Sequence, residues 1–252
     1  MLGVGVDPVT VDGLHAQIRR LVRRGNGVVL NVNAHCLNLL YGDRELRGFF
    51  AAADVVFCDG AGVRLAARML GRRLPARITY ADWLPRLAAF AARERLSLYF
   101  LGGRPGVAEE AARKLRDAHP GLDILGVRHG FFDHRAGSPE NAAVVAGIRA
   151  ARPDVLLLGL GMPLQERWLM ENRHALSFGV ALTGGAVFDY ASGRLRRGPR
   201  LLTGNGLEWL ARLLVEPRRL WRRYLLGNPL FLARVLRQRW REGAGREKNR
   251  EM

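Results

Sequence analysis

The sequence predicts an α/β fold in which a Rossmann-like, mostly parallel sheet is flanked by helices and followed by a C-terminal helical appendage. Two observations predict the sheet. Short β-rich apolar runs alternate with amphipathic helical segments, and the runs lack the polar alternation of half-exposed strands. A third observation predicts the appendage, because residues 194–241 contain thirteen arginines against two acidic residues, together with leucines and aromatic residues.

Six apolar runs are the strand candidates, and helical segments connect them. We predict strands at 28–33, 54–58, 96–102, 122–127, 154–160 and 178–184. We predict helices between them at 105–119, 138–151 and 163–176. Alternation of this kind is typical of a parallel sheet with helices on both faces. It predicts one α/β catalytic domain over residues 1–195.

Residues 196–241 are predicted to form two or three short amphipathic helices, broken at Pro217 and Pro229. We predict a disordered tail at 242–252. Basic residues beside aromatic ones are typical of helices that lie among lipid headgroups. A solvated appendage packed on the domain, or a nucleic-acid surface, would have a similar composition. We favour an anionic membrane surface and no nucleic acid, because no base-reading module is recognisable.

Composition bounds the class of protein. The chain has 252 residues and a net charge of +17, and 48% of its residues are hydrophobic. This indicates a globular protein with an anionic partner: nucleic acid, a membrane surface or a phosphate-bearing substrate. Two cysteines, no signal peptide and no membrane-spanning apolar stretch predict a cytoplasmic protein, soluble or peripheral on the membrane.

Several kinds of site are not indicated. The sequence has no Asp-x-Asp pair, no zinc-ligand spacing, no dinucleotide or Walker loop and no G-x-S-x-G nucleophile elbow. Metal-dependent hydrolysis and acyl transfer are therefore disfavoured. We expect neither a metal ion nor a cofactor.

Candidate functional residues follow the predicted strands, because ligands of such sheets bind outside the carboxyl ends of the strands. The residues selected in this way are Asn31, Asn33, Asp59, Gly102, Gly103, Gly130, Phe131, 161–165 and 184–185. Asp59 ends the run DVVFCDG, where a turn residue or a helix N-cap is the alternative to a catalytic carboxylate. The loop GGRPGVAE that begins at Gly102 is either a phosphate cradle or an ordinary strand-to-helix turn. Arg77 is either a surface arginine or a phosphate clamp.

Several motifs occur together and in a fixed order. They are NVNAHCLNLL, ADVVFCDGAGV, RITYADW, FLGGRPGVAE, HGFFD, GLGMPLQERWL, TGGAVFDYASG and GLEWLARLLVEPRRLWRRYLLGNPLF. With these motifs the chain resembles the WecG/TagA/CpsF glycosyltransferases (glycosyltransferase family 26) from about residue 4 to residue 240. The resemblance implies metal-independent, inverting transfer of a hexose or N-acetylhexosamine, of the N-acetylmannosamine type, in the biosynthesis of a teichoic acid or other surface polysaccharide. The donor would be a UDP-sugar and the acceptor a polyprenyl-diphosphate-linked saccharide at the cytosolic face of the membrane.

The resemblance also implies roles for individual residues. Asp59 would be the general base, with Asn31 beside it, while Arg77 and Gln165 would lie at the donor diphosphate and sugar. The implied substrate-binding residues are Asn33, Gly102, Gly103, Phe131 (stacking on uracil), Asp189 (bonded to that base) and Arg212, Arg219 and Arg222 (at the lipid diphosphate). Asn31 stands where the teichoic-acid enzymes carry threonine, which concerns the donor sugar more than the reaction. The alternatives are a soluble sugar-nucleotide-binding Rossmann enzyme and a basic nucleic-acid-binding protein.

Overall fold

The computed structural model describes residues 1–199, 202 and 206–248. Within them lies one six-stranded sheet with all neighbouring strands parallel. The strands are β1 (Gly27–Val32), β2 (Val55–Cys58), β3 (Leu98–Gly102), β4 (Ile124–Arg128), β5 (Val155–Gly159) and β6 (Val180–Thr183). Their order across the sheet is β2-β1-β6-β5-β3-β4. All six predicted strands are confirmed, with ends that differ by at most two residues.

Helices flank the sheet and follow it. They are α1 (Val11–Arg24), α2 (Ala34–Gly42), α3 (Arg44–Ala51), α4 (Ala61–Met69), α5 (Tyr80–Glu94), α6 (Val107–Ala118), α7 (Pro139–Ala151), α8 (Leu164–Asn172), α9 (Val187–Ala191), α10 (Glu208–Val215), α11 (Pro217–Trp221) and α12 (Gly227–Lys248). The predicted α/β class with C-terminal helices is confirmed. None of the helices in these described residues is long and apolar enough to span a bilayer.

The sheet separates two apolar layers. Successive residues of a strand point to opposite faces, so Leu30 packs in one layer and Val29 in the other. Trp168 anchors the first layer and Trp83 the second, and each is only 1% exposed. Burial of side chains of this size contributes roughly 2–3 kcal/mol apiece. The two layers hold the strand ends rigidly, which fixes the geometry of any site built on them.

The appendage is tied to the domain by specific hydrogen bonds. Asn38 of α2 donates from Nδ2 to the carbonyl oxygen of Gly227 at 2.7 Å. Arg234 of α12 donates from Nη1 to Oδ1 of Asn38 at 2.9 Å. At the chain start, the backbone N–H of Leu2 donates to Oε1 of Gln238 at 2.8 Å. The appendage therefore packs on the same helix, α2, that begins beside the strand ends.

Two predictions about the appendage need correction. Pro217 does begin a new helix, but no helix ends at Pro229. Pro229 lies in the first turn of α12, directly after a wide π-helical turn at Arg222–Leu226. Proline is tolerated there because that turn has few N–H groups to pair. Residues 242–248, predicted to be disordered, continue α12, and Gln238 donates to Oε1 of Glu242 at 2.8 Å. Residues 249–252 of the predicted tail lie outside the described residues.

Candidate active site

Three neighbouring strands bring a polar chain to the carboxyl edge of the sheet. Asp59 directly follows β2, Asn31 lies near the end of β1 and Thr183 ends β6. Asn31 donates from Nδ2 to Oδ2 of Asp59 at 3.0 Å, and Thr183 donates from Oγ1 to Oδ1 of Asn31 at 3.4 Å. Gly60 follows with φ at +105°, which is why glycine occupies this turn. The predicted neighbours Asn31 and Asp59 thus lie in direct contact.

The carboxyl group of Asp59 has a raised pKa. Burial is the main cause and Glu208 is the second, and together they raise the pKa of Asp59 to about 6. The hydrogen bond from Asn31 and the guanidinium groups of Arg223 and Arg212 oppose the shift. A carboxylate with this pKa is largely ionised at neutral pH and still basic enough to accept a proton. The electrostatics therefore suit a general base.

Asp59 lies where two cavities meet. The first, called here the Arg77 cavity, has a volume of about 700 Å³ and includes Arg77, Glu208 and Trp209 in its lining. The second, called the Phe131 cavity, has a volume of about 820 Å³ and includes Phe131 and Asp189. The residues that line both are Asn33, His35, Asp59, Gly184, Ala186, Arg212 and Arg223. Each cavity has the size of a small-molecule site.

Arg77 faces the cavity named after it. Its Nη1 lies 3.8 Å from Oε2 of Glu208 in the first turn of α10. Both side chains are more than four-fifths buried, at 16% and 19% exposure. No local pattern marks Glu208 as a site residue, because its proximity to Arg77 depends on how the appendage packs. Glu208 therefore adds a second carboxylate near Asp59.

The appendage supplies the arginines at the junction of the cavities. Arg212 and Arg223 each have a buried Nε without a hydrogen-bond partner among the described residues. Burial lowers the pKa of Arg223, and the nearby charge of Arg212 acts in the same direction. Arg219 and Arg222, by contrast, are exposed and line only the Phe131 cavity. Arg223 was not among the predicted site residues, because nothing in the local sequence distinguishes it from its neighbour Arg222.

Phe131 and Asp189, which are predicted to bind the uracil ring, line the same cavity. Phe131 and Asp189 both line the Phe131 cavity, although Phe131 follows β4 and Asp189 lies in α9. The ring of Phe131 is 64% exposed, so a flat ligand has access to it. Their assignment to a base stays a prediction.

The predicted phosphate cradle at 102–106 has the geometry of a turn instead. The backbone N–H of Gly103 donates to the carbonyl oxygen of Gly159 at 3.1 Å, so it is not directed at a ligand. A Cβ on Gly102 would lie 2.3 Å from the Gly159 backbone, so Gly102 serves the close approach of β3 and β5. Glu109 and Glu110 in the first turn of α6 also disfavour an anion there. Gly103 lines the Phe131 cavity, whereas Gly102 lies beneath it.

Gln165 is a buried residue that connects two loops at the carboxyl edge of the sheet. Its side chain is fully buried, and its Oε1 accepts hydrogen bonds from the backbone N–H groups of Gly161 (3.2 Å) and Gly185 (3.0 Å). Its Nε2 donates to Oε1 of Glu166 at 2.7 Å. Gln165 therefore joins the loops after β5 and β6 and does not line either cavity. Direct contact between Gln165 and a donor sugar stays a prediction.

Asn33 and His35 form the α2 side of the junction. Asn33 caps α2 by accepting a hydrogen bond from the N–H of Cys36 at 3.0 Å. Burial, with Arg223 nearby, lowers the pKa of His35 to about 4, so its imidazole is neutral at neutral pH. His35 is a polar, uncharged group between the two cavities.

The described residues contain no group of three His, Cys, Asp or Glu side chains placed to hold a metal ion. The charged groups at the junction are instead guanidiniums and carboxylates. Guanidinium groups bind phosphate oxygens through paired, charge-assisted hydrogen bonds. The site can therefore bind anions and accept a proton from a neutral ligand.

A parallel sheet with a basic cleft and the raised-pKa carboxylate of Asp59 at its carboxyl edge is typical of α/β enzymes that act on anionic substrates. A sequence model of the "Glycosyl transferase WecG/TagA/CpsF family" matches residues 1–245. The chain belongs to this family of glycosyltransferases, as its motifs indicated.

Two relatives are each named N-acetylglucosaminyldiphosphoundecaprenol N-acetyl-beta-D-mannosaminyltransferase. That of Bacillus spizizenii (strain W23) is 31% identical over 187 residues, covering 74% of this chain and 70% of the relative. That of Bacillus subtilis (strain 168) is 28% identical over 211 residues, covering 84% and 79% respectively. By name, both relatives use an acceptor sugar attached through a diphosphate to a polyprenol.

Proposed function

We propose that this chain transfers a hexose or N-acetylhexosamine from a UDP-sugar to a polyprenyl-diphosphate-linked saccharide, with inversion and without a metal ion. The position of Asp59 carries the proposal: a carboxylate with a pKa of about 6 lies between two basic cavities. A transferase needs a base where donor and acceptor meet. Two cavities that meet at one carboxylate satisfy that requirement.

The reaction is a single displacement at the anomeric carbon of the donor. The acceptor hydroxyl oxygen forms the new bond to that carbon while the bond to the β-phosphate oxygen of UDP breaks. The electron pair leaves with UDP, and the hydroxyl proton passes to Asp59. Asn31 orients the carboxylate by donating to Oδ2. Attack and departure on opposite sides of the carbon produce inversion.

The departing diphosphate gains negative charge that must be stabilised. Arg212 and Arg223 line both cavities, and the buried Nε of each has no hydrogen-bond partner within the described ranges. Preorganised guanidinium groups in a partly dry site stabilise developing charge more effectively than water does. They take the part that a divalent ion plays in metal-dependent transferases.

The names of the relatives support the class of acceptor, and the Phe131 cavity supports the class of donor. An exposed aromatic ring in the same cavity as the Asp189 carboxylate suits a nucleobase, since the ring can stack and the carboxylate can accept an N–H hydrogen bond. N-acetylmannosamine is the sugar named for both relatives, and we propose that class of donor here. The product would be a surface polysaccharide or teichoic-acid precursor.

We further propose that residues 196–241 form an appendage that docks the protein on the cytosolic face of the membrane. Large apolar side chains of this segment are exposed: Leu214 (71%), Leu225 (53%), Leu226 (59%), Leu230 (48%) and Trp240 (77%). Leucine and tryptophan among arginines are typical of helices that bind at an anionic bilayer surface. Docking there brings the cleft to a lipid-linked acceptor.

The test is UDP release from a panel of UDP-sugars with a short-chain polyprenyl-diphosphate N-acetylglucosamine acceptor. We expect turnover that depends on both substrates and persists in EDTA. The Asp59→Asn variant should bind UDP but turn over about 10²- to 10⁴-fold more slowly, as expected for a missing general base. Turnover on water-soluble acceptors alone, or no turnover with any lipid diphosphate, would contradict the proposal.

A further inference from the structure

Helix α4 presents two arginines to the Arg77 cavity that the reaction above does not use. Arg64 and Arg68 both line this cavity, together with Leu65 between them. They are four residues apart, so they project from the same face of the helix. The opposite face of α4 is buried through Val63, Ala66 and Ala67.

Within the part of the chain that the structure describes, neither Arg64 nor Arg68 forms an ion pair or a hydrogen bond through its side chain. Like charges at this spacing disfavour a helix. The surface helix α6 shows the ordinary arrangement, since Arg113 there is bracketed by Glu110 and Asp117. An external anion would supply the missing partner on α4.

The charge of the two cavities is consistent with two anionic ligands. The Arg77 cavity is lined by Arg64, Arg68, Arg77, Arg212 and Arg223 against the carboxylates of Asp59 and Glu208. The Phe131 cavity is lined by Arg104, Arg212, Arg219, Arg222 and Arg223 against Asp59 and Asp189. Arg212, Arg223 and Asp59 line both cavities. Counted once each, the lining residues are eight arginines against three carboxylates, and this excess of five positive charges suits two ligands that each carry a diphosphate.

The walls of the Arg77 cavity also differ from those of a purely polar anion site. Leu65 is 48% exposed at the cavity wall. Trp209 of α10 and Leu232 of α12 line the same space. Apolar side chains next to arginines match a ligand whose phosphate is directly bonded to a hydrocarbon. The Phe131 cavity also has leucines beside its arginines, but it differs in containing the Phe131 ring and the Asp189 carboxylate, which suit a nucleobase.

We infer that Arg64 and Arg68 bind the diphosphate of the polyprenyl-linked acceptor, with Leu65 against its first isoprene units. This inference rests on the proposed function. The donor then occupies the Phe131 cavity, and the two substrates approach Asp59 from opposite sides. Oε2 of Glu208 lies 3.8 Å from Nη1 of Arg77 in the Arg77 cavity. Arg77 thus faces the cavity that we assign to the acceptor rather than the Phe131 cavity that we assign to the nucleobase of the donor.

The experiment compares the Arg64→Gln/Arg68→Gln double variant with wild type in the full-length protein. Glutamine keeps a polar side chain of similar reach and removes the charge. We expect the acceptor KM to rise about 10- to 100-fold, while the Kd of UDP measured by calorimetry changes less than twofold. The matched control is Arg20→Gln/Arg23→Gln on α1, which removes the same charge from residues that line neither cavity. That control should leave both quantities unchanged.

A binding measurement tests the inference without turnover. Farnesyl diphosphate should bind wild type saturated with UDP, and the double variant should bind it at least tenfold more weakly. Displacement of farnesyl diphosphate by UDP, or a loss of UDP affinity equal to the loss of acceptor affinity, would assign the arginines to the donor and overturn the inference. Unchanged acceptor KM in an active enzyme would overturn it as well. Absence of transfer by wild type would overturn the proposed function instead.

Discussion

The Asp59→Asn variant separates what a buried carboxylate costs in stability from what it contributes to catalysis. The pKa of Asp59 rises from 3.8 to about 6, chiefly through burial. A raised pKa means that the folded protein binds the proton more tightly than the unfolded chain does. The resulting stabilisation is complete below about pH 3.8 and is lost as the pH rises through 6. Above pH 6 the ionised group therefore destabilises the folded state.

The magnitude follows from the shift. About two pKa units correspond to about 3 kcal/mol, which is an upper bound because Asp59 is partly exposed to water in the cavities. Asparagine has a similar shape and carries no charge. We expect the Asp59→Asn variant to be more stable than wild type by up to about 3 kcal/mol at pH 8, and nearly equal to it at pH 4. Urea unfolding at several pH values measures this difference.

The same carboxylate should set the acid limb of the activity profile. With a pKa of about 6, roughly a tenth of the molecules are ionised at pH 5 and roughly nine-tenths at pH 7. We therefore expect kcat/KM of wild type to fall about tenfold between pH 7 and pH 5. Exposed Asp123 provides the control, since its Asn variant should leave both the stability curve and the activity profile unchanged.

A raised pKa of Asp59 is contradicted if the Asp59→Asn variant is no more stable than wild type at pH 8. It is refuted equally if wild type keeps full kcat/KM down to pH 4.5. Full turnover by the variant would remove Asp59 from the role of base, whatever its effect on stability.

Three further predictions concern other parts of the molecule. The Phe131→Ala variant should weaken UDP binding about tenfold, through loss of stacking, without changing the Tm, because the ring is 64% exposed; calorimetry and thermal unfolding measure the two effects. Burial raises the pKa of Glu166 to about 7, so the wild-type protein should lose about 3 kcal/mol of stability as the pH rises through 7. The Glu166→Gln variant should lack this loss. A parallel pH dependence of Tm in both proteins would contradict the prediction. The Leu225→Ser/Leu226→Ser variant should sediment with anionic vesicles at least tenfold less than wild type, while unaltered sedimentation would exclude these side chains from membrane contact.

The sheet was predictable because its signal is local. Each strand is an apolar run between turn residues, and the strand-end rule placed Asn31 and Asp59 at one edge before any contact was known. Their hydrogen bond shows that residues at the ends of adjacent parallel strands do lie in contact, as the rule predicts.

Contacts made by the appendage were not predictable from local pattern. Glu208 and Arg223 act on the carboxyl group of Asp59 across about 150 residues of chain, and only the packing of α10–α12 determines which side chains point inward. The hydrogen bonds of Gln165 were not predictable for a related reason. Its position after a strand suggested a ligand contact, but the N–H groups of two neighbouring loops use its oxygen.

The walls of both cavities combine loops at the strand ends with side chains from the end of the chain, and this determines when the site is complete during synthesis. Asp59 and Asn31 can pair as soon as β1 and β2 have formed. The guanidinium groups of Arg212 and Arg223 are added only after residues from 208 onward have been made and have packed on α2 and α4. Before these helices pack, the sheet carries the Asp59 carboxylate without the guanidinium groups of Arg212 and Arg223 beside it. We therefore expect transfer to require the last helices, which are the same ones that we propose to meet the membrane.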